Sequence, residues 1–249
     1  MAHKTLISGT AYSVTGGREL IGGTGYGCKA GKTLIGGTAF TVPFSKGIPL
    51  NTITPGAILY LNESGSPVPF YIAKHDYESG LNGTGRTLVV RKDCYDERIF
   101  NKTNSAFSGG DIDIWLNGTW IKQFDTKTRA AVNETKFYCL AGGGSKEKQT
   151  LTRAVFLLSA TEITPEDYND GEHLDESVRA LLSKPYLNGS LTWYWTRTPE
   201  DYYGVVIYSG YYGLGDLSCG RTAGSRPAFT LPSTYPVAQN PDGTYSPAA

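Results

Sequence analysis

The residues best equipped for recognition chemistry lie between Glu200 and Gly224. Five of the 17 Tyr (Tyr202, Tyr203, Tyr208, Tyr211 and Tyr212) fall within eleven residues, interleaved with Gly204, Gly210, Gly213 and Gly215. A tyrosine offers a large, rigid, amphipathic contact surface at low entropic cost, and Gly and Ser let the backbone adapt, as in an antibody paratope. Such rings stack on sugar faces or fill protein pockets while the hydroxyl hydrogen-bonds. Asp216 and Arg221 add charged contacts, and Leu214 and Ser218 complete the candidate ligand-binding set. Val205-Val206-Ile207 reads as core strand, so the flanking Tyr202, Tyr203, Tyr211 and Tyr212 are better candidates for exposure than Tyr208.

Other chemistries fit the residue spacing poorly. Cys28, Cys94, Cys139 and Cys219 lie far apart with no Cys-x-x-Cys pair, which argues against a zinc ribbon or a thioredoxin-like site. The spacing leaves bridging open, and buried free thiols in a reducing cytoplasm are the simpler expectation. His3, His75 and His173 are scattered, and they read as surface or capping residues rather than metal ligands. Asp167-Tyr-Asn-Asp-Gly-Glu172 has calcium-ligand residue types without EF-hand spacing, and a solvated helix-to-loop corner is the expectation. Gly142-Gly-Gly-Ser-Lys146 lacks the context of a phosphate loop and reads as a lone flexible loop, so no cofactor is expected.

The elements that must position these residues are short. Thirty-one of 249 residues are Gly, well above the roughly 7% of average usage, which with the Tyr content points to many strands and tight turns. Lys+Arg and Asp+Glu number 23 each, so the charge footprint of a dedicated nucleic-acid binder is missing. No stretch approaches the ~20 apolar residues of a membrane span, and the N-terminal residues do not read as a secretory signal.

Residues 1–45 contain a repeat: Lys4-Thr-Leu-Ile-Ser-Gly-Thr-Ala-Tyr recurs from Arg18 and again from Lys32, a 14-residue period. Each unit reads as a strand–turn–strand element too small to bury its own apolar face. Docking or oligomerisation through these repeats, and a β-meander on a monomer, are both open.

Residues 46–231 read as a mixed α+β domain. Ala57–Leu61 and Val68–Lys74 form a hairpin around the Asn62–Pro67 loop, and Thr87–Arg91 is a further strand. The spacing of Ile112, Trp115 and Leu116 predicts a helix stopped by Gly118, and Asp125 or Thr126 caps a second one through Val132. Ala154–Leu158 reads as a buried strand, Thr164-Pro165 as a helix start, and Asp175–Leu182 as a helix burying Val178, Leu181 and Leu182. Trp193–Arg197, Gly204–Ser209 and Arg226–Leu231 are the closing strands. Residues 232–249 read as a loosely ordered, Pro-rich strap or linker.

Five stretches carry a resemblance: Trp115-Leu-Asn-Gly with Phe124-Asp-Thr-Lys-Thr-Arg-Ala-Ala, then Val155-Phe-Leu-Leu-Ser-Ala-Thr-Glu162, Tyr194-Trp-Thr-Arg-Thr-Pro199 and Gly224-Ser-Arg-Pro-Ala-Phe-Thr-Leu231. They resemble a phage and prophage family of gut bacteria that is similar to the C-type lectin fold, in the branch shared with formylglycine-generating enzymes and the variable proteins of diversity-generating retroelements. Thr196-Arg197-Thr198-Pro199 stands where a familiar member has Leu-Arg-Ser-Pro. The resemblance implies a C-type-lectin-like fold and ligand-binding, hypervariable loops between Glu200 and Gly224. It implies a non-enzymatic receptor-binding protein of a phage tail, made in the bacterial cytoplasm and carried on the virion. Its partners would be a host cell-surface protein or glycan, other virion proteins through the N-terminal repeats, and further copies of itself, with no nucleic acid. The alternatives are an enzyme on the formylglycine-generating-enzyme-like fold and a structural tail or baseplate component. Only Cys219 lies in the C-terminal region where that enzyme branch needs a cysteine pair.

Overall fold

In the computed structural model, the described residues are the strand backbones within residues 3–41 and residues 47–209 and 213–248. In the N-terminal repeats, His3–Ile7 pairs with Thr10–Val14, Arg18–Ile21 with Thr24–Gly27, and Lys32–Ile35 with Thr38–Thr41. All three keep one register, with Leu6, Leu20 and Leu34 opposite Ala11, Gly25 and Ala39. Their side chains, the expected docking role and Cys28 lie outside the described residues.

The rest is α+β, built on two sheets. The larger has eight strands in the order Val155–Phe156, Ala228–Pro232, Arg86–Arg91, Ser66–His75, Ile58–Glu63, Tyr245–Pro247, Pro236–Gln239 and Ile48–Pro49. The smaller has five: Glu97–Ile99, Thr222–Gly224, Tyr194–Pro199, Gly204–Ser209 and Gly213–Ser218. The helices are short, and Asp111–Gly118 is an eight-residue example. Phe70, Trp120, Phe124 and Phe229 pack together in the core in tilted and edge-to-face pairs, with centroids 5.0–6.2 Å apart. A second aromatic run, Trp195, Phe100, Phe107, Phe137, Phe156 and Tyr77, continues toward a buried arginine.

Several expectations need correction. The Asn62–Pro67 loop shrinks to a two-residue turn, Ser64-Gly65, both at positive φ (53° and 83°), which matches the twist of the flanking strands. The helix does end at Gly118, although without a left-handed cap: the chain runs on through Thr119 into a 3₁₀ turn at Trp120–Gln123. Ile112 and Leu116 are buried, while Trp115 is half-buried beneath the Arg98 guanidinium, 3.7 Å from its ring centroid. Leu181 points outward from its helix. Thr164-Pro165 ends a helix rather than starting one. Ala160–Ile163 precedes it, with Ser159 and Glu162 forming a reciprocal capping box.

Gly142–Gly144 is no lone loop. It turns a long hairpin, Thr135–Gly142 against Ser145–Arg153, with all three Gly at positive φ. Nor do residues 232–249 form a loose strap, since Pro236–Gln239 and Tyr245–Pro247 join the larger sheet and bury Tyr235, Val237 and Ala248. The domain therefore extends past 231. The Asp167–Glu172 corner is solvated only in part: Asp167 and Asn169 are exposed, but Asp170 is fully buried and accepts from Thr161 (2.7 Å) and from the Thr198 hydroxyl.

Asp170 belongs to the network around Arg197, which is fully buried. All five guanidinium N–H groups are met. Nε donates to Tyr138 O (2.9 Å), one terminal nitrogen to Leu157 O and Glu162 Oε2 (both 2.8 Å), and the other to Glu162 Oε1 and Asp170 O (both 2.9 Å). Glu162, fully buried too, also accepts from Tyr77 Oη (2.5 Å) and Ser159 N (2.7 Å). Phe137 lies against the guanidinium at 4.8 Å. Glu78 joins from the side. Its backbone is left-handed (φ 47°), its N–H donates to Glu172 Oε1 (2.7 Å), and its buried Oε1 has no hydrogen-bond partner among the described residues. Burial, then the charges of Glu162 and Glu172, push its carboxyl from 4.5 up to about 7.

Two predictions follow from this network. Glu162→Ala leaves the guanidinium buried without a counter-charge, and urea denaturation should show a loss of about 3–5 kcal/mol. A loss under about 1 kcal/mol would mean that the pair is not buried as described. The second concerns pH. A carboxyl raised in the folded state contributes stability that is full below about 4.5 and lost as pH rises through about 7. Wild-type protein should lose on the order of 1–3 kcal/mol relative to Glu78→Gln between pH 5 and 8.5, and parallel stability curves would contradict this.

Candidate functional site

The candidate residues sit on a hairpin that closes one side of the smaller sheet. Gly204–Ser209 lies between Tyr194–Pro199 and Gly213–Ser218, with the register Gly204↔Ser218 through Ser209↔Gly213 unbroken. Val205 and Ile207 bury one face in the core, and Val206 is buried on the other. The register sets Leu214 opposite Tyr208, Asp216 opposite Val206 and Ser218 opposite Gly204. Facing residues in a ladder share a side, so Tyr208, Leu214, Asp216 and Ser218 line one face.

Exposure divides the set. Asp216, Ser218 and Arg221 are exposed, and Tyr208 and Leu214 are half-buried. The Tyr208 ring meets Tyr194 edge-on at 5.9 Å, and burial raises its phenol. It is as much a core residue as a contact residue. Tyr211 and Tyr212 lie outside the described residues.

Tyr202 and Tyr203 are the most open of the described candidate tyrosines, at 49% and 59% exposure, and their rings meet edge to face at 4.6 Å. Their backbone is pinned from several directions. Asp201 Oδ1 accepts from Tyr203 N (2.8 Å) and Gly204 N (2.5 Å), and these bonds hold its carboxyl below the usual range. Ser105 N donates to Tyr202 O (2.9 Å) and Ser105 Oγ to Asp201 O (2.5 Å), while Cys219 N donates to Tyr203 O (2.7 Å). The last bond seats the tyrosine pair beside the Ser218–Arg221 turn, which Arg221 N closes on Ser218 O (2.8 Å).

The candidates thus form two groups. Tyr202, Tyr203, Ser218 and Arg221 gather at one end, and Tyr208 with Leu214 lies about 14 Å away along the strand at ~3.4 Å per residue. Asp216 stands between.

Three supports were not identified from sequence. Ser105 Oγ accepts from Gly143 N (3.0 Å), Gly144 lies beside the Tyr202 side chain, and Lys146 donates to Pro199 O (2.6 Å). The run Gly142-Gly-Gly was their only visible signal, because it marks a turn able to approach another backbone closely.

Burial raises Cys94 and Cys139 to about 12 and raises Cys219 as well, so these thiols stay protonated near neutrality. His75 bridges Thr87 Oγ1 (3.0 Å) and Ile53 O (2.7 Å). Among the described residues, no three His, Cys, Asp or Glu side chains converge as metal ligands would.

Residues 84–233 match the family described as a domain of unknown function, DUF6273, and since this is most of the chain, the protein belongs to that family. No curated protein and no solved structure matches it.

Glycine substitutions test the seating of the tyrosine pair. Gly142 has φ +72°, and a Cβ there would lie 2.5 Å from Ala106 Cα, whereas at Gly143 the nearest atom is 3.7 Å away. Gly142→Ala should cost about 2–4 kcal/mol and shift the Tyr202 ring resonances, and Gly143→Ala about 1 kcal/mol with little shift. Equal effects would contradict the close approach.

Proposed function

We propose that this DUF6273 protein is a ligand-binding protein whose contact surface is the tyrosine-bearing hairpin around Tyr202, Tyr203, Ser218 and Arg221. The observation that carries this reading is the pair of adjacent exposed tyrosines on a backbone fixed by Asp201, Ser105 and Cys219. A surface whose rings are already placed spends little entropy on binding, and tyrosine and arginine are the side chains that dominate binding hot spots. Both flanking segments, Tyr194–Pro199 and Gly224–Leu231, belong to stretches that resemble the C-type-lectin-like phage family. The finer reading follows from that resemblance: a C-type-lectin-like domain of a phage tail that attaches to a host-surface ligand. The N-terminal hairpins would tether it to other virion proteins or to its own copies, and several copies would raise a weak single-site affinity.

The test is direct. Fluorescently labelled protein is incubated with a panel of gut bacterial cells, and the Tyr202→Ala/Tyr203→Ala variant is compared by flow cytometry. A bound strain should retain at most about one tenth of the affinity for the variant, whose melting temperature stays within a few degrees of wild type. Undiminished binding by a folded variant would overturn the proposal.

A further inference from the structure

The two sheets present four edges, and they are not alike. Three are short: Val155–Phe156 and Ile48–Pro49 have two residues each, and Glu97–Ile99 has three. The fourth, Gly213–Ser218, has six residues paired without a bulge to Gly204–Ser209, and no described strand covers its other side. Natural sheets blunt such edges with Lys, Pro, bulges or brevity. Gly-Leu-Gly-Asp-Leu-Ser carries none of these and has Asp216 as its one charge.

The hydrogen bonds fix which backbone groups face outward. Cys219 N donates to Tyr203 O (2.7 Å), so Tyr203 and Cys219 face each other across the ladder. Bonded and non-bonded pairs alternate in an antiparallel ladder. The bonded pairs are therefore Val205↔Leu217, Ile207↔Gly215 and Ser209↔Gly213. Three carbonyls agree with that phase, since Gly204 O accepts from Glu200 N (2.9 Å), Val206 O from Thr196 Oγ1 (2.8 Å) and Ser218 O from Arg221 N (2.8 Å). Leu214 and Asp216 consequently turn both N–H and C=O to the open side, and Ser218 its N–H.

We propose that the Gly213–Ser218 edge is a strand-addition site for an extended segment of another protein that sets a Lys or Arg opposite Asp216. This rests on the hairpin being the binding element, and it narrows the ligand to polypeptide. In strand addition the main-chain bonds supply affinity and alternate side chains supply specificity. Here the outward amides of Leu214 and Asp216 do the first, and the face shared by Leu214, Asp216 and Ser218 does the second. A second copy of the chain fits less well: the two fullest two-fold registers set Asp216 against its own copy or against Leu214, with no opposite charge in either.

The probe is a yeast-displayed library of random ten-residue peptides, panned against the full chain. Enriched peptides should alternate and carry a central basic residue. Leu214→Pro removes one outward N–H without touching the ladder to Gly204–Ser209, and it should weaken the best peptide at least tenfold. Leu214→Ala should weaken it less than about threefold. Should the proline variant fail to fold, hydrogen exchange on wild type reads the same contact: saturating peptide should slow the Leu214 and Asp216 amides at least tenfold. The proposal is overturned by no enrichment, by peptides indifferent to a folded Leu214→Pro, or by unchanged amides. If those results accompany cell binding that still needs Tyr202 and Tyr203, the hairpin remains the binding element for a non-peptide ligand. If cell binding ignores the tyrosines too, both readings fail.

Discussion

The fold turns on one buried ion pair. Burying an arginine side chain is costly unless its donors are met, because an unpaired buried charge costs several kcal/mol. Arg197 achieves this by drawing four segments to one point: the Tyr138 strand, the chain at Leu157, the Glu162 helix and the Asp170 corner. Such a pair adds little stability over a well-packed apolar substitute. What it specifies is geometry, since the bidentate guanidinium–carboxylate contact admits few alternative placements. The strand that carries Arg197 leads directly into the Asp201 turn and the tyrosine pair.

A second buried arginine fixes the other end of the segment. Arg226 has no carboxylate partner among the described residues and instead donates to the carbonyls of Arg91 (2.9 Å), Leu182 and Lys92 (both 2.5 Å) with its guanidinium over the Tyr194 ring. Between Arg197 and Arg226 the chain makes the hairpin, the Ser218–Arg221 turn and the short Thr222–Gly224 strand. Gly224 is needed there, because a Cβ would lie 2.7 Å from Cys94 Sγ and 2.8 Å from Trp193 O. The proposed binding element is thus an edge hairpin of the smaller sheet whose two roots are held by buried cations, which suits a preorganised contact surface.

Much of the architecture was legible where local signals and tertiary packing agree. The strand Gly204–Ser209, the Asp125 cap and the helix over Asp111–Gly118 all show in residue pattern alone. The failures have physical causes. The polar, exposed strand Ser145–Arg153 has little apolar alternation to reveal it, and its partner is recognisable only once paired. Pro236 begins its strand, and prolines at such positions are compatible with a sheet although they read as breakers. Ser159-x-x-Glu162 is a capping-box pattern, but the Thr-Pro that follows resembles a helix start more strongly. The candidate site was legible as composition and only partly as geometry. Clustering of Tyr and Gly marks the hairpin, yet nothing local shows that Tyr208 leans on Tyr194 or that Ser105, almost a hundred residues earlier, pins the turn.

The most direct test of this account is amide hydrogen exchange of the free protein, resolved residue by residue along the hairpin. A rigid hairpin with one open edge predicts alternation: slow exchange at Gly215, Leu217 and Cys219, fast exchange at Leu214 and Asp216, and strong protection at Arg197, whose N–H is bonded to Leu158 O at 2.9 Å. Uniformly fast exchange from Gly204 to Ser218 would contradict the preorganised hairpin, and uniformly slow exchange would contradict its open edge.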